Sequence, residues 1–370
     1  MRYRMNDNLA TQLGLVLNQS KRYRLNKVQE EQFKELTHYT ARKSTELDNI
    51  DFKKVKHYWK KEKGLSVFVK NETEQQKINI NDITTFISKL NITTKNNLKY
   101  VKSNKTIRII LTDIHVGMQP NENHYSLYNY TWDLHELEKR RKQVIQSVVD
   151  LNQEFEEIHV IDLGDLTDGF NAETTRGGHK LAQNLTNREQ FEVAFEFKAS
   201  LLLELQEMFK VKVKNYNAVN CNHSADLDYI VNSSLKTYVE KLNANIEVHN
   251  IESFIGHYKH YNHTFVITHG KDEKHLKFGL KPKLDEKGKI LLEDYVRQNN
   301  LNGCITIEKG DSHVQLIDEC TSKVFNYNNY LAFSPPSGWV QHNFGSSKSG
   351  FNLMIINSEN NDKQLLTKYF

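Results

Sequence analysis

Between residues 106 and 268 the chain repeats one rhythm: a short apolar, β-branched run, a polar break, then a longer stretch in which apolar residues return every three or four positions. TIRIILT (106–112), EIHVIDL (157–163), VKVKNYNAVN (211–220) and HTFVIT (263–268) have the length and composition of strands, and a later run, NGCITIEKG (302–310), adds one more. Residues 133–155, 188–209 and 226–243 carry helical periodicity. This alternation predicts a layered α/β domain, since each strand must bury its faces against neighbouring layers. Ahead of it the pattern changes. NKVQEEQFKELTHYTARKST (26–45) places Val28, Phe33, Leu36 and Tyr39 or Thr40 near helical spacing, and VKHYWKKEKGLSVFVKN (55–71) reads as a helix or strand, a turn at Gly64 and a strand. NITTKNNLKYVKSNK (91–105) shows no period and is the expected linker. The sequence therefore predicts a small, basic, mainly helical region over 1–100 and a larger domain over 101–370.

Length and composition narrow the class. A chain of 370 residues can bury a sizeable core. Cys221, Cys304 and Cys320 are too few and too scattered for a disulfide framework or a thiolate zinc site, which points to a reducing, cytoplasmic compartment. The N-terminus lacks an apolar leader, and runs such as ASLLLEL (199–205) are far shorter than a membrane span. Residues 1–105 hold 22 Lys and Arg against 11 Asp and Glu, a surplus of +11, so the whole-chain charge of +4 leaves −7 for the remainder. A basic front suits a polyanion such as DNA, and aromatics interleaved with lysines at 55–71 could stack bases; a solvated surface over a small core is the plainer reading.

The chemistry lies where the strands end. The first apolar run stops at Asp113 and His115, the second at Gly164, Asp165 and Asp168, the third at Asn222 and His223, the fourth at His269, and the last at Asp311 and His313. In open α/β sheets the carboxyl ends of strands meet at one crevice, so these groups can converge. Several carboxylates in a buried crevice need compensating charge, and divalent cations would supply it. Oxygen donors mixed with imidazoles and no thiolate suit manganese, iron or zinc, and two ions would account for the number of donors.

The order Asp-x-His, Gly-Asp-x-x-Asp, Asn-His, His-Gly and a closing Gly-x-x-His resembles the calcineurin-like metallophosphoesterase superfamily, and is most similar to phage-type members related to DNA repair exonucleases. The resemblance covers about 106–357. It implies a four-layer αββα sandwich with a dinuclear metal centre that hydrolyses phosphodiester bonds, with DNA as substrate, no membrane association, and a homodimer as one arrangement open to it. If the chain is phage-encoded, the compartment is the host cytoplasm. Carried over residue by residue, Asp113, His115 and His313 would hold one metal, Asp165 would bridge, and Asn222, His269 and Asp311 would hold the other. His223 would stand beside the phosphate as a general acid, and Asp168 would orient a ligand histidine. Two positions depart from the pattern. Cys221 stands where glycine precedes Asn-His, which would strain the backbone if φ there were positive, and Asp311 stands where the motif has histidine, a swap favouring manganese or magnesium over softer ions. A phosphomonoesterase and a DNA-binding protein that lost turnover are the competing readings.

Two loops are candidates for substrate contact. GFNAETTRGGHKLAQNLTNREQF (169–191) carries Arg176 and His179, and Arg176 could clamp a phosphate; THGKDEKHLKFGLKP (268–282) places Lys271 just past His269. His124, His135, His249, His257, His260 and His263 show no ligand-like spacing and receive no role on sequence grounds.

Overall fold

The computed structural model describes residues 3–4, 7–16, 22–37, 57–62, 65–70, 80–89, 103–121, 128–272, 279–344 and 348–370. The chain divides into two compact units, Met1–Gln75 and Gln76–Phe370.

The first unit contains β1 (Tyr3–Arg4), α1 (Asp7–Gln12), β2 (Arg22–Tyr23), α2 (Lys27–Thr37), β3 (His57–Glu62) and β4 (Leu65–Lys70). Within it β1 pairs with β2 and β3 with β4 in antiparallel ladders. Asn26 caps α2: its Oδ1 accepts from the Gln29 amide, while the Asn26 amide donates to Gln29 Oε1. Ala10, Leu13, Tyr23 and Phe33 form a small core. Val28, expected on the apolar stripe of α2, is exposed, since it lies in the first turn beside the cap. Tyr39 and Thr40 lie outside the described residues, as do the side chains of β3 and β4.

The second unit runs α3 (Ile80–Lys89), β5 (Lys105–Leu111), α4 (Leu134–Val149), β6 (Glu157–Asp162), α5 (Asn187–Phe209), β7 (Lys212–Ala218), α6 (Ala225–Lys241), β8 (Ile246–Ile251), β9 (Gly256–His260), β10 (His263–Thr268), α7 (Glu286–Gln298), β11 (Cys304–Lys309), β12 (Leu316–Asp318), β13 (Asn326–Asn329), α8 (Gly338–Phe344), β14 (Gly350–Asn357) and β15 (Lys363–Tyr369). Six strands pair in the order β15-β14-β5-β6-β7-β8 and five in the order β12-β13-β11-β10-β9. β5 to β8 are parallel, as are β10, β11 and β13, so their carboxyl ends leave each sheet along one edge.

Strand alternation assigns the layers. Ile107, Ile109 and Leu111 join a core with Val144 and Val148 of α4, Phe195 and Leu202 of α5 and Val231 and Leu235 of α6. The alternate residue Ile110 joins Ile161, Phe265, Ile267 and Met354 between the two sheets. On the far side Val266, Ile305 and Ile307 pack with Leu292 and Val296 of α7. The result is the expected four-layer αββα sandwich. α5 is buried over much of its length because it packs with α4, α6 and the sheet, and it starts at a capping box formed by Thr186 and Glu189.

The unit boundary precedes the linker expected at 91–105, of which only 103–105 lie within the described residues. The cause is α3, whose Phe86 meets Phe191 and Phe195 edge-on at 6.1 and 5.8 Å. Its polar setting in sequence hid an apolar stripe of Ile83, Phe86 and Ile87 against the main core.

Candidate metal centre

Each strand that carries a candidate ligand delivers it just past its last paired residue. Asp113 follows β5, Asp165 and Asp168 follow β6, Asn222 and His223 follow β7, His269 follows β10, and Asp311 and His313 follow β11. The backbone there turns sharply. Asp113, His115, Asp165, Asp311 and His313 adopt φ of 53°, 48°, 53°, 67° and 54°. Left-handed backbone at a side chain with a Cβ costs about 1–2 kcal/mol, so five such residues persist only because their surroundings hold them. Asp113 N–H donates to Gly164 O at 3.0 Å and His115 N–H to Asp165 O at 2.9 Å, while Gly310 N–H donates to His269 O at 3.2 Å. Gly164 is required for packing as well as turning: a Cβ there would lie 2.9 Å from Ala218 O and 3.0 Å from His269 Nδ1.

The side chains converge in two groups that share Asp113. Asp113, His115 and His313 offer donor atoms within 4.8 Å of one another, and so do Asp113, Asp165 and His269. His313 Nε2 lies 3.3 Å and His115 Nε2 3.7 Å from Asp113 Oδ1. His269 Nε2 lies 3.0 Å from Asp165 Oδ2 and 3.9 Å from Asp311 Oδ1. The carboxylate common to both groups is Asp113, which motif order alone does not single out, whereas Asp165, expected as the bridge, belongs to the group with His269.

Hydrogen bonding shows which lone pairs are spare. His269 Nδ1–H donates to Leu163 O at 2.9 Å, so in the neutral ring Nε2 presents a lone pair. Nε2 of His269, Oδ1 of Asp113 and Oδ1 of Asn222 are buried without a hydrogen-bond partner. Buried acceptors left unmatched cost about 1–3 kcal/mol each, and these three lie on residues with ligand chemistry. Electrostatics agrees. Burial by itself would raise the Asp113 carboxyl, but His313 and His115 outweigh it and hold it well below the usual carboxylate range. Burial would likewise suppress His269, yet Asp165 draws its imidazole up to about 9. The carboxylates call for cations, and the donor set of oxygens and imidazoles fits divalent ions.

Asp168 sits behind these groups. Its main-chain carbonyl accepts from His223 Nδ1 at 2.7 Å, and its carboxylate lies 3.3 Å from His115 Nδ1 and accepts from Gln183 Nε2 at 3.3 Å. The His115 and His223 rings stand edge to face, 4.5 Å apart, and the His223 amide donates to Asp165 Oδ1 at 3.2 Å. Asp168 therefore fixes two imidazoles at once. His223 is the more open of them, with 22% of its side chain exposed, so its Nε2 edge can meet a substrate.

The outer candidates are placed differently. The Arg176 guanidinium donates to Lys271 O and to Asn220 Oδ1, and its amide donates to Asn222 O at 3.0 Å. As it stands, Arg176 ties the 169–186 loop to the loops bearing Asn222 and His269, with Nη1 and Nη2 both bonded to protein. His179 is exposed and pairs through its backbone with Thr174. Lys271 is half-buried, and Lys274 and Lys277 lie outside the described residues.

Cys221 corrects one expectation: it has no positive φ and is fully buried, with Sγ 3.1 Å from Asp228 Oδ2. Asp228 is the residue that sequence reading missed. Its carboxylate also accepts from the amides of Leu166 and Thr167, both at 2.9 Å, and from the hydroxyls of Thr167 and Ser224 at 2.7 and 2.9 Å. It binds the loop after β6 to the loop after β7, and an aspartate in the first turn of a helix carries no local mark of such a role. Likewise Trp132 Nε1–H donates to His115 O at 2.9 Å, and buried Lys309 donates to Ser312 Oγ at 2.7 Å.

Among the described residues no helix is long and apolar enough to cross a membrane. No family model and no curated protein matches the chain. Among solved structures, it is similar to a single mutant of Vps29 from Entamoeba histolytica, with 11% identity, a TM-score of 0.30, and 71% of this chain and 99% of that one covered. It is similar to Vacuolar Protein Sorting 29 of Cryptosporidium parvum, with 10% identity, a TM-score of 0.35, and 72% and 99% covered. A 5'-nucleotidase of Candida albicans is 10% identical, with a TM-score of 0.31 and 75% and 52% covered. Likenesses this distant assign the chain neither a family nor an activity, so its chemistry rests on its own residues.

Proposed function

We propose that the chain is a phosphoesterase working through a dinuclear divalent metal centre, with DNA phosphodiesters as the substrate. The observation that carries this reading is the convergence of Asp113, His115, Asp165, His269, Asp311 and His313, with unmatched buried donors on Asp113, Asn222 and His269. Two divalent ions, manganese foremost, with magnesium, iron or zinc as substitutes, would neutralise phosphate oxygens and supply an activated water. Asp113, His115 and His313 would hold one ion, and Asp165, Asn222, His269 and Asp311 the other, with Asp165 or Asp113 between them.

The chain's own groups do the rest. His223 protonates the leaving oxygen through Nε2, because Nδ1–H is committed to Asp168 O. Asp168 Oδ1 lies 3.7 Å from Nδ1 and Asp165 Oδ2 4.0 Å from Nε2 of the same ring. Arg176 would reach phosphate only by giving up its bonds to Lys271 O and Asn220, so its first role is to hold the ligand loops together. The surplus of +11 over residues 1–105 supports a polyanionic substrate.

The test is hydrolysis of labelled linear DNA by wild type and Asp165→Asn, with manganese added and then chelated. Loss of cutting with the substitution and with chelator is the expected result. A strong preference for p-nitrophenyl phosphate over its bis-ester would replace the nuclease reading with a phosphomonoesterase, and DNA binding without hydrolysis by either protein would leave a binding protein.

A further inference from the structure

At the end of the sandwich opposite the ligand crevice lies a second group with metal-ligand chemistry. Glu157 and His159 stand at the start of β6, and His260 ends β9 on the facing sheet. From His159 the strand β6 runs three more positions to Asp162 before the turn that carries Asp165, roughly 10 Å at about 3.3 Å per residue, so the two sites are distinct. Donor atoms of Glu157, His159 and His260 lie within 4.8 Å of one another. His159 Nε2 is 3.1 Å from Glu157 Oε2, and the two imidazole rings are 4.5 Å apart at 63°. Ligand atoms bound to one zinc ion at about 2.0–2.1 Å in tetrahedral array are separated by roughly 3.3 Å, so this spacing needs little adjustment.

We infer that Glu157, His159 and His260 form a further divalent metal site, of the zinc class, bridging the two sheets. Two imidazoles and one carboxylate are a donor set for zinc and its neighbours cobalt and nickel rather than for magnesium or calcium. Three protein ligands leave one position for water. His260 Nε2 is 2.8 Å from Thr106 Oγ1, which orients the ring, and His159 Nδ1 has no hydrogen-bond partner, so nothing but Glu157 holds its tautomer. Burial holds His159 down to about 4, with Arg108 and Lys214 adding to it, and burial beside His159 holds His260 down to about 3, so both rings are neutral, as ligands must be.

One group competes for the place. Lys214 Nζ donates to Glu157 Oε2 at 2.8 Å, and with 20% of its side chain exposed it can turn outward to water. The site is thus a carboxylate shared between an ammonium and an ion, and removing the ammonium should tighten it. Without an ion, the same rings belong to an aromatic layer with Tyr216 and Tyr258, at 5.7 and 5.9 Å from His159.

The experiment is equilibrium dialysis of the full chain against zinc, with bound metal counted by mass spectrometry, and cobalt absorption as a geometric readout. Wild type should bind one equivalent more than His260→Ala and Glu157→Gln, both of which should keep wild-type hydrolytic activity. Lys214→Met should lower the dissociation constant for that equivalent about tenfold or more. An Asp113→Asn, Asp165→Asn double variant should still bind the extra ion and give its four-coordinate cobalt spectrum, which separates this site from the crevice. Equal metal counts in wild type, His260→Ala and Glu157→Gln would overturn the proposal and leave an aromatic packing layer only.

Discussion

Removing Glu308 should destabilise the sandwich more than any surface change, and its geometry gives the size. Arg108 of β5 and Glu308 of β11 face each other between the sheets, with both side chains wholly shielded from solvent. Nη1 and Nη2 of Arg108 donate to Oε1 and Oε2 of Glu308 at 2.8 and 2.6 Å. Nε donates to Tyr258 at 2.8 Å, Tyr330 donates to Glu308 Oε1 at 2.9 Å, and the guanidinium lies 3.5 Å over the Phe265 ring. Burial disfavours the guanidinium charge, but Glu308 outweighs burial and raises the group further above its ordinary range. Glu308→Ala would leave that cation with only a phenol and a ring face, at a cost of about 3–5 kcal/mol. Against a total stability on the order of 5–15 kcal/mol, that is about a fifth of the fold or more. Glu308→Gln retains shape and one acceptor and should cost about 1.5–3 kcal/mol, the value of hydrogen bonds to charge. Replacing both partners, as in Arg108→Met with Glu308→Leu, should return most of the loss, because no uncompensated charge remains. Urea denaturation of wild type, Arg108→Met, Glu308→Leu and the double variant, read at constant m, completes the cycle, with Glu308→Ala and Glu308→Gln measured beside them. A cost below about 1 kcal/mol for Glu308→Ala, or a double variant as unstable as the two singles added together, would refute the account.

Asp168→Asn should lower kcat by roughly 10- to 100-fold and weaken metal binding, since the carboxylate near His115 is lost while the carbonyl that holds His223 remains; unchanged kcat and metal affinity would remove Asp168 from the site. A chain starting at residue 76 should melt close to the intact second unit, whereas one starting at 101 should lose on the order of 2–4 kcal/mol with α3 and the Phe86 contacts to Phe191 and Phe195. Equal melting of the two truncations would move the boundary back to residue 100.

Much of this could be read from the chain because it depends on short-range pattern. A strand buried on both faces must be apolar, and TIRIILT, EIHVIDL and HTFVIT are; a strand of a parallel sheet must end beside its neighbours' ends, so the terminal Asp, His and Asn residues had to meet. The sequence likewise determined the charge difference between front and back. What it could not determine depends on pairing at a distance. Residues 80–89, given no element by their periodicity, form α3 where Phe86 finds Phe191, and positive φ falls on Asp113, His115, Asp165, Asp311 and His313 rather than on Cys221. Arg176 reads as a phosphate clamp until oxygens from two other loops occupy its donors, and Asp228 is an ordinary helix-start aspartate until five donors from elsewhere close on it. His159 and His260, 101 positions apart, become neighbours only when the second sheet packs on the first. Local periodicity sets which residues a strand presents to each face, whereas which group stands opposite a buried charge or lone pair is set by packing of segments far apart in the chain, where an unmatched partner is costly.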